Sequence, residues 1–120
     1  MVYLTRLAIK KPMSDRDFLG ELEQMVLLAV LRLEGKGYAV SIRQEIIRRT
    51  GRDVSRGSVY ITLERLEAKG YVRSWLADPT PIRGGRAKRF YTVESQAFPV
   101  LKESRRALLE MWRGLDRVLG

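Results

Sequence analysis

The sequence contains no cysteine and no histidine in 120 residues. Without cysteine there are no disulfides, thiol nucleophiles, iron–sulfur clusters or cysteine zinc sites. Without histidine, the commonest general base and the commonest transition-metal ligand are missing. An enzyme built on this chain would have only carboxylates, lysine and tyrosine, and no carboxylate pair is clustered in the sequence. The residues therefore point away from catalysis, metal binding and any cofactor. Long apolar runs are missing too. The longest, Met25 to Leu31, is far short of the roughly twenty residues that a bilayer span needs. The N-terminal stretch scatters Arg6, Lys10 and Lys11 among apolar residues and lacks the basic-then-apolar order of a secretory signal. The expectation is a soluble, intracellular protein of the cytoplasm.

Acid is scarce against base. Lys and Arg number 23 and Asp and Glu 14, a formal net charge of +9. On so short a chain this excess points to a polyanionic partner, nucleic acid before membrane, with solubility alone as the bland alternative. Apolar residues make up 45% of the chain, enough for a core, and the length suits one.

The apolar pattern divides the chain. Residues 1–18 form a basic extension broken by Pro12 and Ser14-Asp15. From Leu19, the positions Leu22, Met25, Val26, Ala29 and Leu33 recur at helical spacing. Leu27, Leu28 and Leu31 widen that face until the helix is apolar almost all round, so it must be covered on several sides. Gly35-Lys36-Gly37 ends it. A second helix is predicted from Val40 to Thr50, with Ile42, Ile46 and Ile47 inward, Arg43, Glu45, Arg48 and Arg49 outward, and Gly51 as its stop. Ser55 is a natural N-cap for a third helix that buries Val59, Leu63 and Leu66, with Thr62 beside them, and ends at Gly70. Its other face carries Gly57, Ile61, Glu64 and Ala68, flanked by Ser58 and Arg65, with Tyr60 on the border. Tyr71 to Ala77 and Arg89 to Val93 then read as two strands of a hairpin with a Pro- and Gly-rich connection. A long last helix, starting near Ser95 or Pro99, is predicted to run to Leu119.

Three helices followed by a two-stranded hairpin is the order of a winged helix-turn-helix, mainly α with a small β-hairpin, in which the third helix enters the DNA major groove N-terminus first. Residues 19–93 would form the DNA-binding domain and 94–120 a dimerisation helix. Ser55, Arg56, Gly57 and Ser58 form the leading turn of the third helix, where free backbone N–H groups and the dipole suit phosphate. Gly57 allows close approach, Ser58 can hydrogen-bond a base edge or a phosphate, and Ile61 can touch a thymine methyl. Tyr60 can reach the sugar-phosphate backbone or serve as a rim-of-core aromatic. On the hairpin, Arg83, Arg86, Lys88 and Arg89 stand in a stretch without acid between Asp78 and Glu94, beside the flexible Gly84-Gly85. They suit phosphate and a narrow minor groove, with a solvated basic loop as the alternative.

The last helix spaces Leu101, Leu108 and Leu115 by seven, with Ser104, Met111 and Val118 three residues after each; Trp112 and Leu119 widen the stripe. Together with Leu22 and Met25 of the over-apolar first helix, this seam is predicted to bury itself in a homodimer. A helix folded back on its own core is the alternative.

Taken together, Leu19-Gly20-Glu21-Leu22-Glu23, Gly57-Ser58-Val59-Tyr60, Leu63-Glu64-Arg65-Leu66-Glu67-Ala68-Lys69-Gly70 and Gly84-Gly85-Arg86-Ala87-Lys88-Arg89-Phe90-Tyr91 resemble the PadR family of bacterial transcriptional regulators, in its short form with a single C-terminal helix. The resemblance runs from about Leu19 to Leu119. It implies a winged-helix dimer in which the last helix packs on the partner's first helix. It also implies operator binding, usually repressive and relieved by a small molecule or stress signal. DNA contacts carry over to Ser58 and Tyr60, and to the wing from Arg83 to Arg89. Trp112 resembles an interface tryptophan on which some members stack planar aromatic ligands; a packed interface anchor is its other role. Three positions depart from the family pattern. Tyr38-Ala39 stands where Tyr-Gly is common, Ile61 follows the motif tyrosine where Pro is common, and Glu94 replaces a capping Thr, which shifts the expected cap of the last helix to Ser95. The reading is a sequence-specific dimeric repressor. A non-specific architectural DNA-binding protein and a winged-helix protein-interaction module are the alternatives.

Overall fold

The computed structural model describes residues 18–77 and 87–120. Helix α1 (Glu21–Arg32) opens at Gly20, whose N–H donates to the Glu23 carboxylate at 2.8 Å. That bond satisfies one of the donors a helix start leaves open. α1 buries Val26, Leu27, Ala29 and Val30, while Leu28 and Leu31 stay exposed. Helix α2 (Ala39–Thr50) buries Ile42 and Ile46 and stops at Gly51, which takes the left-handed conformation (φ 73°) that only glycine adopts cheaply. Helix α3 (Arg56–Ala68) starts at Ser55, whose Oγ accepts from Ser58 N–H at 3.0 Å. It ends where the Tyr71 N–H reaches back to the Leu66 carbonyl past Gly70.

The three helices pack on one core. Val26, Leu27, Val30, Ile42, Val59, Leu63 and Leu66 are almost wholly removed from water. Each contributes about 1.5–3 kcal/mol of transfer free energy relative to an exposed side chain. Strands β1 (Val72–Leu76) and β2 (Arg89–Val93) pair antiparallel, with Val72 opposite Val93 and Ser74 opposite Tyr91. Val72 and Tyr91 fall on the inward face and join the core. The Gly37 carbonyl accepts from Tyr91 N–H at 3.0 Å, so the α1–α2 connection forms a third rung beside the hairpin. Gly37 is needed there, since a Cβ would lie 2.9 Å from Leu33 Cδ1 and 3.2 Å from Ile42 Cγ1.

Helix α4 (Ala97–Trp112) crosses back over α1, burying Ala97, Leu101 and Ser104. Pro99 sits in its first turn, where a missing N–H costs nothing. The cap is not Ser95. Gln96 holds the N-cap position without a side-chain cap, and Ala97 and Phe98 donate instead to the carbonyls of Glu94 and Ser95. The predicted continuous helix to Leu119 is also corrected. α4 ends at Trp112, Gly114 turns left-handed (φ 80°), and a short α5 (Asp116–Leu119) follows. Leu115, Val118 and Leu119 therefore leave the stripe that their seven-residue spacing implied. No helix among the described residues is long and apolar enough to cross a membrane.

Candidate nucleic-acid interface

The leading turn of α3 stands clear of the fold. Ser55, Arg56, Gly57 and Ser58 are all exposed, while Val59, the next residue, is fully buried. Two hydrogen bonds shape the turn. Ser55 Oγ accepts from the Ser58 backbone, and the Ser55 hydroxyl donates to Ser58 Oγ at 2.8 Å. Ser58 thus has its oxygen engaged, and its own proton makes no bond among the described residues, so it can donate to an outside acceptor. A Cβ on Gly57 would meet nothing within 4 Å. Nothing described in the chain needs a glycine there, although glycine costs helix stability. Tyr60 and Ile61, each 53% exposed, extend the same surface. Tyr60 thus keeps about half of its surface in water at the edge of the fold.

The connection that presents this turn is held by Arg43. Its Nε donates to the Val54 carbonyl at 2.6 Å, and its Nη2 lies 3.3 Å from Asp53 Oδ1. Helical spacing predicts Arg43 on the outward face. It is half-buried, because the turn between α2 and α3 folds over it. At the other end of α3, Lys69 Nζ donates to the buried Glu23 carboxylate at 2.7 Å. Burial pushes the Glu23 carboxyl up, but the Lys69 hydrogen bond and charge, the Gly20 N–H and the Arg65 charge outweigh it, so its pKa falls below the usual value. Periodicity did not mark Glu23. Its position three residues after Gly20 is the local signal that could have done so.

Of the four wing cations, Lys88 and Arg89 are described and exposed; Arg83 and Arg86 lie outside the described residues. Lys88 Nζ stands 4.4 Å from the centre of the Tyr38 ring, a cation–π contact that holds the base of the wing against the start of α2. Arg89 Nη1 donates to Ser74 Oγ, and that hydroxyl donates to Glu67 on α3. These contacts orient both cations from the α2 and α3 side of the hairpin.

The predicted dimer residues divide. Leu101 is buried in the chain's own core, and Leu22 and Met25 are half-buried against it. Leu108, Met111 and Trp112 on α4, and Leu115, Val118 and Leu119 beyond it, are exposed. Between α1 and α4 runs a groove of about 370 Å³ lined by Leu28, Leu31, Leu108, Leu109 and Trp112, with Gln24 and Arg105 among its polar edges.

The family model described as the transcriptional regulator PadR-like family matches residues 27–96, more than half of the chain. The chain belongs to this family. The PadR-like assignment makes it a transcriptional regulator rather than an enzyme, with DNA as the partner the family implies. Solved structures share the fold. A PadR family transcription regulator from hypervirulent Clostridium difficile R20291 has a TM-score of 0.62 at 20% identity, over 80% of this chain and 98% of that one. A transcriptional regulator from Thermoplasma acidophilum gives 0.63 at 20% identity, over 82% and 93%. A winged-helix DNA-binding protein from STIV gives 0.57 at 16% identity, over 80% and 97%. No curated protein matches the sequence.

Proposed function

We propose that this PadR-like protein is a homodimeric repressor of the cytoplasm that reads operator DNA sequence-specifically and is released by a small molecule. The observation that carries the reading is the leading turn of α3: capped, exposed, and open above Gly57. In this account the backbone N–H groups at Ser55 to Gly57 and the Arg56 guanidinium take phosphate, Ser58 donates to phosphate or a base edge, and Ile61 meets a thymine methyl. Tyr60 reaches the sugar-phosphate backbone. The wing, through Arg83, Arg86, Lys88 and Arg89, neutralises flanking phosphates. Residues 19–93 serve as the DNA-binding domain, 94–120 as the dimerisation segment and 1–18 as a basic extension.

The groove between α1 and α4 supports the dimer. Large apolar side chains stand exposed along both helices, and a second copy of α4 laid on α1 would cover them. Two reading helices would then address half-sites about 34–36 Å apart. Trp112 at the groove edge is the side chain on which a planar aromatic effector would stack.

Fluorescence anisotropy on a duplex from upstream of the protein's own gene, with a scrambled duplex as control and both run across salt, tests the reading. Selective binding with a salt slope of about −0.9 per phosphate contact is expected. Equal binding to both duplexes would favour a non-specific architectural protein. A flat salt response would favour a protein partner.

A further inference from the structure

The start of α1 carries a polar bridge between the C-terminal helix and the reading helix. The Leu19 N–H donates to Ser104 Oγ on α4 at 3.2 Å. One peptide further, the Gly20 N–H donates to Glu23 Oε1 at 2.8 Å. The other carboxylate oxygen, Glu23 Oε2, accepts from Lys69 Nζ at the C-cap of α3, at 2.7 Å. Among the described residues the buried polar or charged side chains are Glu23, Thr62 and Ser104, and two of these three stand in the bridge.

With Glu23 buried and the Lys69 side chain one-third exposed, the pair adds little net stability, because desolvation of the carboxylate offsets the attraction. This one adds geometry. The two carboxylate oxygens take different partners, the Gly20 N–H on one and Lys69 Nζ on the other, so Glu23 ties Lys69 to the Leu19-Gly20 peptides. Those peptides are fixed in turn by α4. From its 13 residues α3 is about 20 Å long, and its reading turn lies at the end away from Lys69. A tilt of about 10° around that anchor would carry the reading turn through about 3 Å, enough to break hydrogen-bond register with a base edge.

We propose that Glu23 and Ser104 are positioning residues that, through Lys69, hold the pitch of α3 to α4, so that a rearrangement of α4 against α1 reaches the DNA-reading turn. The proposal rests on α3 being the reading helix.

The test uses a duplex that the full-length wild-type protein selects from a random-sequence library. Affinity is read by anisotropy well below the unfolding transition, with circular dichroism and sedimentation as controls for fold and assembly. Glu23→Gln keeps an acceptor for Gly20 and removes the ion pair; it is expected to weaken binding about tenfold with fold and assembly unchanged. Ser104→Ala is expected to weaken binding severalfold alone and to add nothing in the Glu23→Gln background, since both break one bridge. Should Glu23→Gln fail to fold, Lys69 offers the second route, its side chain being one-third exposed. Lys69→Met should reproduce the loss and Lys69→Arg should restore binding. Wild-type binding with a folded Glu23→Gln that binds equally well overturns the bridge alone, as do losses that simply multiply. A wild-type protein that selects no duplex overturns the DNA reading, and the bridge with it.

Discussion

Helices α3 and α4 pack against the same core and leave opposite kinds of surface. α3 buries Val59, Thr62, Leu63 and Leu66 behind its leading turn and turns outward Arg56, Gly57, Ser58, Glu64 and Arg65. α4 buries Ala97, Leu101 and Ser104 in its first half, then runs on with Leu108, Leu109, Met111 and Trp112 exposed, Met111 by 75%. A small, polar, positively poled end suits a charged partner that keeps some water. A large apolar stripe beyond its own core suits a dry one. Each helix is thus complete toward its own core, and the two leave surfaces of opposite chemistry open to solvent.

The harshest way to break the comparison is to put charge into the apolar stripe. Leu108→Asp should leave the winged helix folded, since Leu108 is exposed in the single chain. It should also convert dimers to monomers in sedimentation. Losing one of two half-sites should cut operator affinity on the order of a hundredfold or more. A dimer that survives would mean the seam lies elsewhere. Damage at the polar end is smaller. Ser55→Ala removes the cap and the hydroxyl that holds Ser58, costing about 1 kcal/mol of stability and lowering the melting temperature by about 5 °C. Because the leading turn frays with it, DNA affinity should fall as well. Loss of stability with unchanged affinity would reduce Ser55 to a cap alone.

Acid probes the joint between the two helices. The folded-state pKa of Glu23 lies below its ordinary value of 4.5, so in that range the unfolded chain binds more protons than the folded one. The stability that Glu23 contributes is complete above the ordinary value and is lost as pH falls through the lowered one. Melting temperature measured against pH should therefore drop more steeply below about pH 4.5 in the wild type than in Glu23→Gln. Parallel curves would mean that Lys69 and Gly20 do not favour the ionised form.

Much of this arrangement was legible in the sequence, for local reasons. Apolar spacing and the stops at Gly51 and Gly70 placed α2, α3 and both strands within a residue or so of their observed limits. Ser55 announced its own cap. The end of α4 was misread because the seven-residue spacing of Leu101, Leu108 and Leu115 continues through Gly114. Backbone freedom at that glycine ended the helix where side-chain pattern said it should continue. The pattern also could not say that Leu101 is spent on the chain's own core while Leu108 is not, because that depends on how far α4 overhangs α1. Least legible was the polar bridge. Lys69 lies 46 residues from Glu23, and Ser104 lies 85 from Leu19, so no local period connects them.

The finest test separates folding from reading at one atom. In the exposed first turn of α3, Gly57→Ala adds a methyl group where nothing in the described chain stands within 4 Å. Replacing glycine by alanine in a helix reduces the freedom lost on folding, so the variant should be more stable by a few tenths to about 1 kcal/mol. If the backbone at Gly57 must approach a duplex closely, the same methyl group meets phosphate or sugar, and affinity should fall severalfold. Opposite signs in a thermal melt and a DNA titration would show that this glycine serves binding at the expense of the fold. A variant that gains stability and keeps its affinity would take Gly57 off the interface and leave Ser58, Tyr60 and Ile61 to carry it. On α4 the corresponding substitution, Met111→Ala, removes apolar surface instead of adding bulk. Its effect should appear in the dimerisation constant before it appears in the melt, because Met111 is the most exposed large apolar side chain of that helix and has no core of its own chain to lose.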